Sequence, residues 1–290
     1  MLKKLILSLF ICLASFVLTG CRVPPATAAK EPIKQAIEVF YLANEGFFIT
    51  GGGKKILVDA LFREGIKPYA VVSPTNKERL EQARDPFSDV DLAMASHFHG
   101  DHFDPLAVAT HLQHNPQALF VSTNQALDKF KAIGAPFEAV KDRVRAAMPK
   151  EGERIKLTHK GIKLQVLHVH HGRNRPIENL GLLFEIAGQK LFHIGDSEAT
   201  AEDFKINNLP AERIDIAFLP FWYLLDGGNK QAVREQIKAR HIVLMHIPPP
   251  DENDEYIKKR GGWAAVLGKM KADFPNAVWF TQEMEKKVFN

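Results

Sequence analysis

The feature that most constrains the fold of this chain is the segment SHFHGDHFD at residues 96–104. It follows an apolar run, DLAMA, that is typical of a buried strand, so its polar side chains lie where a strand ends. A sharp loop there can direct His97 and His99 toward one point, and Asp101 and His102 toward a second point nearby. Imidazoles and carboxylates are ligands that zinc, manganese and iron accept. The segment therefore predicts a site for two metal ions.

The alternative interpretation is a histidine-rich surface loop, because an isolated His-x-His pair is usually incidental. Three imidazoles and a carboxylate within six positions favour ligation. The spacing His97-x-His99-x-Asp101-His102 resembles the signature of the metallo-β-lactamase superfamily, whose members are mostly binuclear hydrolases. The resemblance implies an α/β (α+β) fold, a four-layer αββα sandwich of mostly antiparallel sheets with helices outside. Periodicity alone permits other α/β layerings.

Strands and helices along the chain agree with a layered α/β fold. We expect a β-meander over residues 39–59 and two hairpins over 154–168 and 180–194. Asp104-Pro105, an N-cap followed by a first-turn proline, opens a helix that runs through about His114. Residues 60–90 form a long connection that is either a lid over the site or an ordinary surface insertion. Asp59, which ends the meander, either supports the metal site or caps a loop.

Every further candidate ligand follows an apolar strand, and strand ends that share one edge of a sandwich converge in space. The resemblance implies that one metal ion takes His97, His99 and His171. It implies that the second takes Asp101, His102 and His246, with Asp196 bridging both ions. The complete set of expected ligands is His97, His99, Asp101, His102, His171, Asp196 and His246.

The third histidine of the first group is not fixed by the sequence, because two imidazoles are adjacent there. His170 is the alternative to His171. His168 shares the parity of the apolar positions in its strand and is expected in the core. The histidines within or beside other strands, which we expect to be structural, are His159, His193 and His241.

The implied chemistry is metal-dependent hydrolysis by a hydroxide that bridges two divalent ions, zinc foremost, with manganese or iron as alternatives. Asp101 is the catalytic residue that orients this hydroxide or moves its proton. A formal charge of about +1 at such a centre favours a small-molecule or lipid-like anionic substrate. Because Asp101 and His102 occur together, the motif resembles the branch of ascorbate-6-phosphate lactonase and N-acyl-phosphatidylethanolamine phospholipase D. We therefore expect a phosphodiester, phosphoester or lactone substrate.

Two alternatives to this function stay open, a β-lactamase-like amidase and a metal-binding lipoprotein without turnover. The sequence also leaves open whether several side chains near the motifs belong to the site. Arg173 and Arg175 either grip an anionic group or are solvated loop charges. The aromatic side chains that could wall the site or belong to the core are Phe98, Phe103, Phe221, Trp222 and Tyr223.

The N-terminus resembles a bacterial lipoprotein signal peptide, residues 1–20, with Cys21 as the acylated first residue of the mature protein. An uncleaved anchor is the alternative, but the apolar run is shorter than the ~20 residues of a membrane span. Residues 21–36 form a flexible tether and residues 37–290 the hydrolase domain. Arg22 resembles the outer-membrane pattern, which predicts a protein that faces the periplasm.

Cysteine and charge limit the remaining possibilities. The chain has two cysteines, one in the signal peptide and one consumed by lipid, so the metal ligands must be histidine, aspartate or glutamate. Removal of residues 1–20, which contain Lys3 and Lys4, lowers the formal net charge from +4 to +2, and this near-balance gives no reason to expect a nucleic-acid partner. The sequence does not indicate an oligomeric state.

Overall fold

Two seven-stranded sheets form the centre of the protein in the computed structural model, which describes residues 34–172, 174–225, 227–249 and 255–290. The strands are β1 (Ile37–Ala43), β2 (Gly46–Gly51), β3 (Lys54–Val58), β4 (Leu92–Met94), β5 (Leu119–Ser122), β6 (Val144–Ala146), β7 (Arg154–His159), β8 (Ile162–His168), β9 (Leu180–Ile186), β10 (Gln189–His193), β11 (Ile216–Pro220), β12 (His241–Met245), β13 (Ala277–Trp279) and β14 (Lys286–Phe289). The first sheet has the order β14-β1-β2-β3-β4-β5-β6, and the second has the order β13-β12-β11-β10-β9-β8-β7.

Each sheet is mixed. In the first sheet β14, β1, β2 and β3 pair antiparallel, and β3 to β6 pair parallel. In the second sheet β7 to β10 pair antiparallel, and β10 to β13 pair parallel. The expectation of mostly antiparallel sheets is corrected to an equal mixture, because helical crossovers join the later strands of each sheet. The meander and both hairpins are confirmed.

The helices follow the strands as crossovers. They are α1 (Pro74–Glu81), α2 (Pro105–His114), α3 (Asn124–Lys131), α4 (Ala135–Glu138), α5 (Ala201–Lys205), α6 (Gly227–Gln231), α7 (Glu255–Lys258) and α8 (Gly262–Asp273). A π-helical segment, Ala232–Ile237, follows α6, and short 3₁₀ turns span Lys141–Arg143, Leu209–Glu212 and Phe221–Leu224. The predicted start of α2 is confirmed, because the Asp104 side chain accepts a 2.8 Å hydrogen bond from the Ala107 amide.

Apolar side chains fill two layers. Between the sheets, the rings of Phe47 and Phe218 lie 4.8 Å apart, and both side chains are fully buried. On the outer face of the first sheet, Phe103 and Phe120 pack near Phe130 of α3. Apolar packing between the sheets and beneath the helices is the αββα arrangement. This packing fixes the relative positions of the strand ends that carry the candidate residues, which are those of β3, β4, β8, β10 and β12.

The connection over residues 60–90 is more structured than a plain loop. Helix α1 lies within it, and Ser73 caps that helix by accepting a hydrogen bond from the Asn76 amide. Phe62 and Leu80 of this connection are buried in the outer core layer. These contacts anchor both ends of the connection to the first sheet.

The predicted signal peptide and most of the predicted tether lie outside the described residues. The last residues of the tether contact the domain, where Lys34 forms a 2.6 Å ion pair with Asp215 and the Gln35 amide donates to the Ala187 carbonyl. Within the part of the chain that the structure describes, no helix has both the length and the apolar character of a membrane span.

His111 of α2 should make folding stability depend on pH. Burial lowers its pKa to about 4, although the hydrogen bond between its Nδ1 and the Leu80 carbonyl opposes that shift. Between these two pKa values the unfolded chain binds a proton that the folded chain excludes. Stability is therefore complete above the unfolded pKa of about 6.5 and is lost as the pH falls from there to about 4. The expected loss is about 3 kcal/mol between pH 7 and pH 3.5 from this residue. Urea unfolding of wild type and His111→Gln over this range measures it.

His114→Gln, at an exposed position of the same helix, is the matched control. An equal acid loss in wild type and His111→Gln would contradict this assignment.

Candidate metal centre

The loop after β4 is held by the carboxylate of Asp59, which follows β3 and is fully buried. One Asp59 oxygen accepts a 2.6 Å hydrogen bond from the Ser96 amide, and the other accepts a 2.6 Å bond from the Ser96 hydroxyl. Asp59 Oδ2 also lies 2.9 Å from His102 Nδ1, which fixes the orientation of that ring. Of the two roles considered for Asp59, the structure shows the contact with the histidine loop.

Four of the expected ligands form a first group, whose donor atoms all lie within 4.8 Å of one another. Its members are His97, His99, His171 and Asp196. His97 Nε2 lies 2.9 Å from His99 Nδ1, and His171 Nε2 lies 3.4 Å from Asp196 Oδ2. Side chains from the ends of β4, β8 and β10 therefore meet at one point.

A second group contains Asp101, His102 and His246 within the same 4.8 Å limit. The two imidazoles also face Asp196, whose Oδ1 lies 3.4 Å from His102 Nε2 and 3.1 Å from His246 Nε2. Asp196 thus directs one oxygen at each group. All seven expected ligands are brought together, and Asp196 lies between the two groups.

The neighbouring histidines lie outside both groups. His170 Nε2 pairs with Glu151 on the surface, and the ring of His168 packs 4.9 Å from the ring of His170. His168 is half-buried rather than part of the core, because β8 ends there. The structure places His171, and not His170, with the first group.

His193 is buried next to the centre without joining either group. Its Nδ1 accepts a hydrogen bond from the Gly195 amide, and its Nε2 donates to the Glu45 carbonyl. Gly195 has φ +55, and a Cβ there would lie 2.4 Å from Asn179 Oδ1. The turn that presents Asp196 therefore requires glycine and is held by His193.

His246 follows β12 with a left-handed backbone, φ 58. Its amide donates a 3.4 Å bond to the Asn44 carbonyl, and the ring of Tyr69 contacts its imidazole at a centroid distance of 3.8 Å. The ring of Trp222 lies 5.1 Å away on the same imidazole. A left-handed conformation is costly for a residue with a Cβ. The contacts with Asn44, Tyr69 and Trp222 therefore hold His246 in this conformation. Tyr69 also shows that the 60–90 connection reaches the centre.

Two side chains at the centre were not among the sequence candidates, Asn44 and Glu45. They form the turn between β1 and β2, and Asn44 has φ 50. Asn44 Nδ2 donates a 3.0 Å hydrogen bond to Asp101 Oδ2, and both Glu45 oxygens are buried near His102. The available signal was a pair of polar residues in a turn flanked by apolar strands, which usually indicates only a surface turn.

The charges at the centre are strongly coupled. Burial and then the charge of His102 lower the pKa of His97 well below its usual value, and burial lowers that of His99. Burial opposes the charge on His102, but Asp196 and Asp59 raise its pKa well above the usual value. Burial likewise opposes the charge on Asp196, yet His102 and His246 hold its pKa well below the usual range. The pocket therefore favours an anionic Asp196 facing a cation.

The residues fit a pair of divalent ions, because polar atoms are buried here without hydrogen-bond partners among the described residues. Leaving such an atom unsatisfied costs about 1–3 kcal/mol. The unpartnered atoms at the centre are Asn44 Oδ1, both Glu45 oxygens, Asp101 Oδ1, His102 Nε2, both His171 nitrogens, Asp196 Oδ1 and His246 Nδ1. Imidazoles and carboxylates are suitable donors for zinc, manganese or iron.

The aromatic candidates separate into two sets. Phe98 lies 5.0 Å from the ring of His99, and Trp222 lies beside His246, so these two flank the centre. Phe103 and Tyr223 are buried in the core, and the Tyr223 hydroxyl donates to the Ala199 carbonyl. Phe221 packs against Trp263. Arg175 is exposed beside Gly172, and Arg173 lies outside the described residues.

Comparisons with known proteins identify sequence relatives of this chain. A family model described as "Beta-lactamase superfamily domain" matches residues 54–247. A protein named UPF0173 metal-dependent hydrolase from Pyrococcus abyssi is 28% identical over 242 residues, which cover 81% of this chain and 96% of that protein.

Solved structures confirm the expected fold. Igni18, titled a novel metallo hydrolase from the archaeon Ignicoccus hospitalis, matches with a TM-score of 0.54 at 18% identity and covers 88% of this chain and 99% of its own. A metallo-beta-lactamase fold protein from Bacillus subtilis matches with a TM-score of 0.57 at 14% identity, covering 88% of this chain and 100% of its own. At these identities the likeness concerns the sandwich alone.

Replacing His171 should weaken metal binding, whereas replacing the adjacent His170 should not. His171→Ala removes an imidazole that faces Asp196, so we expect bound metal to fall by about one ion per chain and affinity at the first group to fall by more than ~100-fold. His170→Ala removes contacts with Glu151 and His168, both of which lie outside the two groups. Metal content after chelation and reloading, determined by inductively coupled plasma mass spectrometry, distinguishes the two variants. Equal losses in both variants, or a loss only in His170→Ala, would refute the placement.

Proposed function

Because the chain belongs to the family of the beta-lactamase superfamily domain, we propose that it is a binuclear metal-dependent hydrolase. The name of its relative in Pyrococcus abyssi, a metal-dependent hydrolase, supports the reaction class. The two ligand groups around Asp196 support the number of ions. Divalent ions held by these residues would act as Lewis acids that polarise a substrate and lower the pKa of water toward neutrality.

The observation that carries the proposal is the position of Asp196. Its Oδ2 lies 3.4 Å from His171 Nε2 in the first group, and its Oδ1 lies 3.1 Å from His246 Nε2 in the second. A carboxylate that only stabilised a cationic histidine would need one such contact. In Asp196, each carboxylate oxygen faces a different group of imidazoles. This arrangement is expected for a carboxylate that lies between two cations a short distance apart.

Asp101 is the proposed catalytic residue. Its Oδ2 accepts a hydrogen bond from Asn44, which fixes the carboxylate plane. Its Oδ1 is buried and has no hydrogen-bond partner in the described part of the chain. That oxygen can orient the attacking water and accept its proton, so Asp101 combines ligation with general-base catalysis.

The proposed substrate is a phosphodiester, a phosphoester or a lactone. Divalent cations held largely by neutral imidazoles attract anionic or carbonyl oxygens. Among the ligands, His99 and Asp196 are only partly buried, so a substrate approaches from their side. Phe98 and Trp222 flank the centre, and they can contact an apolar part of the substrate.

Asp196→Asn should reduce hydrolysis by at least ~100-fold, because even outer partners of metal ligands are worth about 10–100-fold. The measurement uses metal-loaded full-length protein with bis-p-nitrophenyl phosphate, p-nitrophenyl phosphate, a γ-lactone and a chromogenic β-lactam. Asp128→Asn, an exposed position on α3, is the control and should retain full activity.

Turnover of the β-lactam beyond that of the esters and lactone would support the amidase alternative. Two bound ions with no hydrolysis in the panel would support a binding protein instead.

The N-terminal pattern supports a further part of the proposal, that the protein is anchored to the bacterial envelope by lipid on Cys21 and faces the periplasm. Cys21→Ser should abolish incorporation of a clickable palmitate analogue and release the protein from the membrane fraction. Cys12→Ser, within the predicted signal peptide, should leave labelling unchanged. Labelling that persists in Cys21→Ser would contradict lipidation at this residue.

A further inference from the structure

We infer that Glu45 is an additional carboxylate ligand of the ion held by Asp101, His102 and His246, which raises the relative preference of that half of the centre for manganese or iron. The inference rests on the proposed binuclear site and adds a residue outside the histidine motifs.

Glu45 is fully buried, and both of its carboxylate oxygens lack a hydrogen-bond partner among the described residues. Glu45 Oε2 lies 3.6 Å from His102 Nδ1, which is the nitrogen bound by Asp59, so this contact shows only that Glu45 is close to the ring. One Glu45 oxygen also groups with Asp196 and His246, and the three donor atoms lie within 4.8 Å of one another. Donors around one ion at bond lengths of about 2.0–2.2 Å are separated by no more than about 4.4 Å. A small movement of the Glu45 side chain therefore suffices for coordination.

The backbone presents this side chain to the centre. The Glu45 carbonyl accepts a 3.2 Å hydrogen bond from His193 Nε2, and the Asn44 carbonyl accepts one from the His246 amide. The backbone of Gly46 is packed closely against the end of β3, because a Cβ at this position would lie 2.8 Å from the Asp59 carbonyl oxygen. The β1–β2 turn is thus packed against three residues of the centre.

Hydrogen bonding to His102 does not account for a carboxylate at this position. His102 Nδ1 is already bound by Asp59 at 2.9 Å, so its orientation does not require Glu45. The other near neighbour of Glu45 is the carboxylate of Asp196, and two charged carboxylates side by side in a buried site repel each other unless a proton or a cation lies between them. A divalent cation between them removes this repulsion and satisfies both oxygens.

The two halves of the centre then differ in donor chemistry. The first group has three imidazoles and one carboxylate, a set that suits tetrahedral zinc. The second group, with Glu45 included, has two imidazoles and three carboxylates. More than four donors with a majority of hard oxygens raise the affinity for manganese and iron relative to that of the first group.

Glu45→Gln tests the inference, because the amide keeps the size and the hydrogen-bonding capacity of the side chain but is a much weaker ligand. Metal-free full-length protein is titrated with Mn²⁺, and free Mn²⁺ is quantified by electron paramagnetic resonance. We expect two Mn²⁺ per chain in wild type. In Glu45→Gln we expect one Mn²⁺ to bind as before and the second to bind at least ~100-fold more weakly, with a smaller loss for Zn²⁺ in competition. Glu151→Gln, which alters a surface carboxylate beside His170, should behave as wild type.

Unchanged binding of both Mn²⁺ ions to Glu45→Gln would overturn the inference and make Glu45 a hydrogen-bonding residue. Fewer than two ions in wild type would instead reject the binuclear site on which the inference rests. If Glu45→Gln does not fold, as judged by circular dichroism, a crystal structure of Mn²⁺-loaded wild type gives the answer. A Glu45 oxygen within about 2.5 Å of the ion supports ligation, and one beyond about 3 Å excludes it.

Discussion

The hydrogen bonds of the buried Asp59 carboxylate hold the histidine loop in place. Its oxygens accept from the amide and hydroxyl of Ser96 and from His102, so the end of β3 is joined to the loop that follows β4. These bonds lie in the interior, where an unpaired carboxylate is costly and a fully paired one is rigid. The loop can therefore carry several imidazoles at short separations. The same bond from His102 Nδ1 leaves Nε2 facing Asp101 and Asp196.

The local parts of this centre were predictable from the sequence. His97, His99, Asp101 and His102 lie within six residues after a buried strand, so their proximity follows from chain connectivity alone. The cap of α2 at Asp104 is local in the same sense. Asp196 and His246 depended on the argument that strand ends meet at one edge, and the structure places both there.

Other features depend on tertiary packing, which local patterns do not contain. The choice between His170 and His171 follows from how the chain turns after β8, and the two neighbouring imidazoles look equivalent in the sequence. Glu45 resembles any polar turn residue until the second sheet covers it. The parallel strand pairs form through crossover helices. Strands β1 and β14 pair although they lie near opposite ends of the sequence. Periodicity indicates that these strands exist but not which neighbours they have.

The candidate ligands are divided between the two sheets, and this division links metal supply to the persistence of the fold. The histidine loop belongs to the first sheet, whereas His171, Asp196 and His246 follow strands of the second. A bound ion is then a cross-link between the halves of the sandwich that exists only in the native state. Each site filled at 100 times its dissociation constant adds about 2.7 kcal/mol to the free energy of unfolding. A cell that runs short of the metal would lose the protein itself to proteolysis, and not only its activity.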